Sequence, residues 1–238
     1  MNTKNPSNNL GQPKAVSFIV PALNEEKNIA GTVAEICRAA EILDDYELVL
    51  VDDGSQDRTG EIIDNLAVSN PRVRALHNPK NLGMGGAYKV GIVQVRLPYV
   101  IMIPGDNCHP ASSILAILGS VGEADVVIPY VKNTHVRTLA RRVISTSYTR
   151  LLNTLFWLNV PYYNGVVLHR TDLVRNITIE TDGFAYQAES LIKILRKGAS
   201  SVSVPIVLSE TGDRNSRAFR FKNIMTVGET IWRLMRSR

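Results

Sequence analysis

The sequence predicts an α/β protein, with a mainly parallel sheet flanked by helices in a single domain that carries a helical extension at its C-terminus. Three observations predict it. Near-continuous β-branched runs of strand length alternate with amphipathic stretches through the first 131 residues. Each major run ends in polar or turn residues, and beyond residue 131 the alternation gives way to longer helical patterns. A length of 238 residues, 45% hydrophobic and 21% charged, suits one large domain and excludes disordered, collagen-like and coiled-coil classes.

The strands are AVSFIV (15–20), YELVLV (46–51), VRAL (73–76), YVIMI (99–103) and ADVVIP (124–129), apolar on both faces as strands covered by helices must be. After the first, EKNIAGTVAEICRAAEIL places Ile29, Val33, Ile36 and Cys37 on one helical face. After the second, TGEIIDNLA does the same with Ile62, Ile63 and Leu66. This β-α-β-α order argues for parallel pairing. Further on, TLARRVISTSYTRLLNTLFWLN (138–159) has Leu139, Val143, Ile144, Leu151, Leu155 and Leu158 at helical spacing, with Pro161 as a stop. GFAYQAESLIKILRKG (183–198) reads as a helix closed by Gly198, SVSVPIVL (201–208) as a short strand, and FKNIMTVGETIWRLMRSR as a last helix. The expected organisation is a flexible tail at 1–14, a domain at 15–222 divided near residue 131, and a basic amphipathic helix at 223–238.

Cys37 and Cys108 lie far apart with no Cys/His clustering, so neither a disulfide scaffold nor a zinc site is indicated. No run of about 18 apolar residues is present, and the polar start resembles no signal peptide. A cytoplasmic location is expected, with peripheral contact to the cytosolic face of a membrane. Residues 1–131 hold 10 basic and 15 acidic residues, whereas 132–238 hold 17 and 7. An acidic front half suits a cation-assisted site, and a basic back half suits an anionic partner.

Ligands in open α/β sheets bind beyond the carboxyl ends of strands, so PALNEE, DDGSQD and PGDNCHP should converge on one site. The first of these lacks the glycine fingerprint of a dinucleotide fold. Gly83, Gly85 and Gly86 come after the third strand instead, where they serve either a tight helix start beside a ligand or close helix–sheet packing. Asp52, Asp53 and Asp106 stand at strand ends, where carboxylates can hold Mg²⁺ or Mn²⁺ together with substrate phosphates. Asp52-Asp53-Gly54-Ser55 also reads as an Asx turn leading into the next helix, with Asp57 at its N-terminus.

VSFIVPALNEEKNI, ELVLVDDGSQDRTGEII, NLGMGGAYKVGI and VIMIPGDNCHP, in that order and spacing, resemble a family 2 glycosyltransferase with the GT-A fold. The later NGVVLHRTDL, GFAYQAESLIKILRKG and VPIVLSETGDRNSRAFRF resemble the dolichyl- or polyprenyl-phosphate mannosyl- and glucosyltransferases within it. The resemblance implies an inverting, metal-assisted transfer of a hexose from a GDP- or UDP-sugar to a polyprenyl phosphate-type lipid. It assigns Pro21, Leu23 and Glu25 to the base and ribose pocket, Asp53 to the base or ribose, and Asp106 to the metal and diphosphate; Asp52 and Gly83 join the nucleotide-sugar candidates by their place at a strand end and a helix start. The family's D-x-D falls on Pro104-Gly105-Asp106, so proline replaces the first acid and Asp106 alone represents the pair. Asn107 and His109 are its polar neighbours.

A lipid monophosphate is ionised at neutral pH and needs cations rather than a base. Arg137 and Arg141 in one stretch, and Arg214, Arg217 and Arg220 in another, are the candidates for the acceptor phosphate. Arg214 and Arg217 match the family's phosphate-positioning stretch by place and so count among the catalytic candidates. A hydroxyl acceptor would need a base, for which Glu189 or Asp182 stands ready. Phe156, Trp157 and Trp232 suit either lipid contact or the core. A non-catalytic nucleotide- or nucleic-acid-binding module is the distant alternative. Nucleic acid is not an expected partner, because no helix-turn-helix, zinc or RNP pattern is present.

Overall fold

A computed structural model describes residues 13–133, 138–207 and 221–236, with backbone alone at 140, 141 and 221–227. Its first half runs β1 (Ala15–Ala22), α1 (Ile29–Ala40), β2 (Asp45–Asp52), α2 (Thr59–Ser69), β3 (Val73–His77), α3 (Gly83–Gln94), β4 (Tyr99–Met102), α4 (Ala111–Leu118) and β5 (Val126–Val131). Its second half runs α5 (Leu139–Phe156), β6 (Leu168–Arg170), α6 (Thr171–Arg175), α7 (Tyr186–Arg196), β7 (Ser201–Ile206) and α8 (Phe221–Arg236). The strands form one sheet in the order β3-β2-β1-β4-β6-β5-β7.

All neighbours are parallel except β6, which runs against both β4 and β5. The carboxyl ends of the other six strands therefore share one edge of the sheet. Side chains alternate between two cores. Val16, Phe18 and Val20 of β1, Leu48 and Leu50 of β2 and Ile101 of β4 meet α1, α2 and α4 through Ile29, Val33, Ile36, Ile63, Ile114 and Ile117. Ile19, Val49, Val51, Val100 and Met102 point the other way, into a core shared with Tyr88, Ile92, Leu152, Phe156, Leu191, Ile194 and Leu234. Burial on both faces is why the strands read as unbroken apolar runs.

The expected strands are present with shifted ends. β1 and β2 reach Ala22 and Asp52, two and one residues further than expected, because the pairing Ala22↔Asp52 continues the ladder into the loops. β5 starts at Val126 rather than at residue 124. β6 has three residues, too few to show a period, and α4 and α6 also lie outside the elements expected from sequence. The expected helix 138–159 stops at Phe156, because Trp157 turns left-handed at φ 56°, and Pro161 plays no part. The helical spacing on α5 is real, but Leu139, Val143, Ile144 and Leu151 face outward, while Leu152 and Phe156 enter the core. Of the expected tail at 1–14, residues 1–12 lie outside the described residues, while Lys14 donates its amide to Asp44 Oδ2 at 2.8 Å.

Candidate active site

The loops after β1 and β2 are bonded into a single platform at the carboxyl edge. Asn24, left-handed at φ 56°, donates its amide to Ser55 Oγ at 2.9 Å and accepts the Gln56 amide on Oδ1 at 2.8 Å. The Glu25 amide donates to Thr59 Oγ1 at 2.8 Å, the Glu26 amide to Asp57 Oδ2 at 3.2 Å, and the Arg58 amide to Glu26 Oε2 at 3.2 Å. Asp57 Oδ1 accepts the Thr59 amide at 3.0 Å and its hydroxyl at 2.5 Å. Desolvation opposes ionisation of Asp57, but the Thr59 and Glu26 donors outweigh it and hold the carboxyl below its ordinary range. Within this platform Pro21 is buried, while Leu23 and Glu25 are half-buried. Glu25 accepts the Asn28 side-chain amide at 2.7 Å.

The two carboxylates after β2 have separate tasks. Asp53, 4% exposed, accepts Asn78 Nδ2 at 2.8 Å and the Leu82 amide at 2.9 Å on Oδ1, and the Gly83 amide at 3.0 Å on Oδ2. It thereby satisfies donors at the start of α3 that the helix itself leaves unpaired. A carboxylate offers about four lone-pair sites, so about one remains for the base or ribose that the resemblance assigns to it. Asp52 accepts the Ser55 amide at 3.0 Å and lies 3.3 Å from His77 Nδ1, whose Nε2 meets Asp64 at 2.9 Å. The Asp64 contact outweighs desolvation and, with Asp52, raises the His77 pKa above its usual value. Two glycines allow this crowding. Gly54 sits at φ 77°, where a Cβ would lie 2.7 Å from the Lys80 carbonyl carbon, and Gly83 at φ 82°, where one would lie 2.8 Å from the Asp182 oxygen.

Asp106 is carried by the loop after β4. The Gly105 amide donates to the Pro21 carbonyl at 3.0 Å, and a side chain at 105 would press on Ala22 and Ile29 at 3.1 and 3.2 Å. The Asn107 amide donates to Thr32 Oγ1 at 2.9 Å. Asp106 itself is exposed, beyond its strand end, and its Oδ1 accepts the Cys108 amide at 3.2 Å. No group of three or more His, Cys, Asp or Glu side chains suited to a metal occurs among the described residues. A single exposed carboxylate fits a cation held jointly with a ligand's oxygens rather than a protein-only cage.

Glu189 is buried on α7, its side chain 1% exposed. Oε1 accepts the Glu180 amide at 3.0 Å and Lys193 Nζ at 2.6 Å, and Oε2 accepts the Thr181 amide at 3.0 Å. Burial favours the neutral acid, but these donors prevail and keep the pKa low. Asp182 is exposed and ion-paired with Lys89 at 2.5 Å. Its carbonyl accepts the Gly85 and Gly86 amides at 2.7 and 3.2 Å, so the glycine cluster serves close packing as well as the start of α3. An open cleft of about 490 Å³ beside this turn is lined in part by Leu82, Gly86, Lys89 and Asp182.

Of the candidate phosphate-binding cations, Arg137, Arg214, Arg217 and Arg220 lie outside the described residues, as does the Arg141 side chain. The described strands leading to them, β5 and β7, end at Val131 and Ile206 on the edge that carries Asp106. Phe156 is buried, whereas Trp157 is 89% and Trp232 54% exposed. Sequence reading passed over Asn78, Thr59, Thr32 and His77. Their one signal was a polar residue within a few positions of a strand or helix end.

A mainly parallel sheet with this carboxyl-edge cluster defines the class. The fold is the GT-A fold of nucleotide-sugar transferases. Glucosyl-3-phosphoglycerate synthase from Mycobacterium tuberculosis, solved with Mn²⁺, UDP and glucosyl-3-phosphoglycerate, superposes with a TM-score of 0.66 at 19% identity over 94% of this chain and 81% of that one. The chain belongs to glycosyl transferase family 2, whose family model matches residues 17–176. It is 30% identical to polyprenol monophosphomannose synthase of Mycolicibacterium smegmatis, over 81% of this chain and 76% of that protein. It is 28% identical to undecaprenyl-phosphate mannosyltransferase of Micrococcus luteus, over 82% and 84% respectively. The protein is therefore a glycosyltransferase.

Proposed function

We propose that this glycosyltransferase moves a hexose, mannose or glucose, from a GDP- or UDP-sugar to a polyprenyl phosphate-type lipid, with inversion at the anomeric carbon. The state of Glu189 carries the acceptor class. Both of its oxygens are committed to donors within the protein, the Glu180 and Thr181 amides and Lys193, so it is not poised to take a proton. A phosphate acceptor requires no such base. The names of the two relatives above point the same way.

In this reading an acceptor phosphate oxygen attacks the anomeric carbon, the bond to the diphosphate breaks, and its electron pair leaves with the nucleoside diphosphate. The platform of Pro21, Leu23, Glu25 and Asp52 cradles the nucleoside. Asp53 and Gly83 shape the adjoining turn. Asp106 faces the diphosphate, and a divalent cation held there supplies neutralisation of the leaving charge. Arg137, Arg141, Arg214, Arg217 and Arg220 are assigned to the acceptor phosphate.

No described helix is long and apolar enough to cross a membrane. Peripheral contact is supported by the outward face of α5, where Val143, Ile144 and Leu151 stand beside Arg142 and Arg150 without an acid, and by Trp157 and Trp232. On α8, Arg236 stacks 3.8 Å from the Trp232 ring.

The test is transfer of label from UDP- and GDP-hexoses into an organic-extractable product, with a short polyprenyl phosphate as acceptor, in Mg²⁺, Mn²⁺ or chelator. Signal from one donor that is lost in chelator is expected. Transfer to hydroxyl acceptors alone would overturn the acceptor and return the base to Asp182.

A further inference from the structure

Three helices meet on three residues. Glu180, Thr181 and Asp182 form a short strap ahead of α7, and α3, α7 and α8 each bond to it. From α7, Glu189 accepts the first two amides, and Lys193 Nζ reaches Glu180 Oε1 at 3.2 Å. From α3, the Gly85 and Gly86 amides donate to the Asp182 carbonyl, and Lys89 pairs with its carboxylate. From α8, the buried Thr230 hydroxyl shares a 2.8 Å hydrogen bond with Thr181 Oγ1, and Arg233 Nη1 donates to Glu180 Oε2 at 3.1 Å.

The bonds continue past α3. Its start is gripped by Asp53 through Leu82 and Gly83, one turn before the glycines that the strap caps. An unbroken hydrogen-bonded path therefore leads from the C-terminal helix to the donor turn. Each step between elements is a hydrogen bond, and the chain itself joins Thr181 to Asp182 and Gly83 to Gly85.

We propose that Thr230 and Arg233 are positioning residues: by holding the strap they set the glycine turn, so that the seating of α8 and the affinity for the nucleoside diphosphate are linked. The proposal rests on the reading of that turn as part of the donor site. Linkage is reciprocal, so whatever seats α8 tightens the nucleotide and the nucleotide tightens α8. The outer side of α8 carries the exposed Trp232, Met235 and Arg236, which lets it meet a lipid surface while its inner side holds the strap.

The test compares the full chain with Thr230→Val, which removes the hydroxyl at similar volume, and Thr230→Ser, which restores it. Amide hydrogen exchange over 82–88 is expected to rise about tenfold in the valine variant and to return in the serine variant. Affinity for UDP or GDP, by calorimetry, is expected to fall about fivefold in the first and recover in the second. Faster exchange confined to 228–236 would overturn the proposal, since α8 would then only be loosened. Altered exchange at 82–88 with unaltered nucleotide affinity would overturn the positioning role. Arg233→Gln perturbs a more exposed pair and supplies the same comparison if the valine variant unfolds. Exchange is read without any substrate, so failure of the donor reading, seen as no binding of either nucleotide by the unaltered chain, is told apart from failure of the coupling.

Discussion

The halves of the chain before and after residue 131 are built on opposite plans. Before residue 131 the strand-end loops bond to one another, with Asn24 to Ser55 and Gln56, Glu25 to Thr59, and Asp53 to Asn78 and Gly83. After it, apolar side chains of α5 face outward and the cationic stretches follow the ends of β5 and β7. In the proposed reaction, a compact nucleotide of fixed shape is met by preformed loops, whereas a long lipid is met by surface.

Asp53→Ala attacks the first plan most directly. It strands three donors, one of them a buried amide, and is expected to cost about 3–5 kcal/mol in chemical denaturation and to abolish nucleotide binding. Asp106→Asn sharpens the comparison, because its carboxylate is exposed and supports little of the fold. Transfer is expected to fall about 100-fold or more in the label assay, with the denaturation midpoint unchanged. Gly54→Ala adds a side chain at a left-handed position against backbone, and a loss of about 1–3 kcal/mol is expected by the same denaturation measurement.

Titration gives smaller effects of opposite sign in two places. Glu189 has a lowered pKa, so its contribution is complete above the unfolded value of about 4.3 and is lost as pH falls through the folded value. His77 has a raised pKa, so its contribution is present below about 6.5 and is lost as pH rises through the folded value. Midpoints measured against pH should lose the acid limb's steepness in Glu189→Gln and the neutral limb's slope in His77→Asn. The smallest effect on stability belongs to the second plan. Leu151→Ser with Trp157→Ser should change the unfolding free energy by no more than about 0.5 kcal/mol while weakening flotation with anionic vesicles.

Much of this was legible in the residues. Five strands and the edge on which the loops converge could be read because burial on both faces leaves unbroken apolar runs. Asp106 could be placed at a strand end for the same reason. The partners of a carboxylate could not be read: nothing in DDGS says that Asp53 will meet Asn78 and two amides about 30 residues on, or that Glu189 will meet the amides of Glu180 and Thr181. Periodicity in α5 located a face but not what it faces. Trp157 ended that helix through a left-handed turn that its residue type does not advertise.

The short antiparallel strand β6 divides the sheet into two ribbons. β1 to β4 pair among themselves, β5 pairs with β7, and among the described residues only Leu168–Arg170 joins the two groups. Those residues follow α5 in the chain, so a polypeptide emerging from the ribosome carries an uncovered edge on β4 until residue 168 has been made. An unpaired edge is a template for pairing with other chains. Assembly of the enzyme thus has a late seam, and a fragment ending before residue 168 should aggregate even though it holds the entire bonded platform of the loops after β1 and β2.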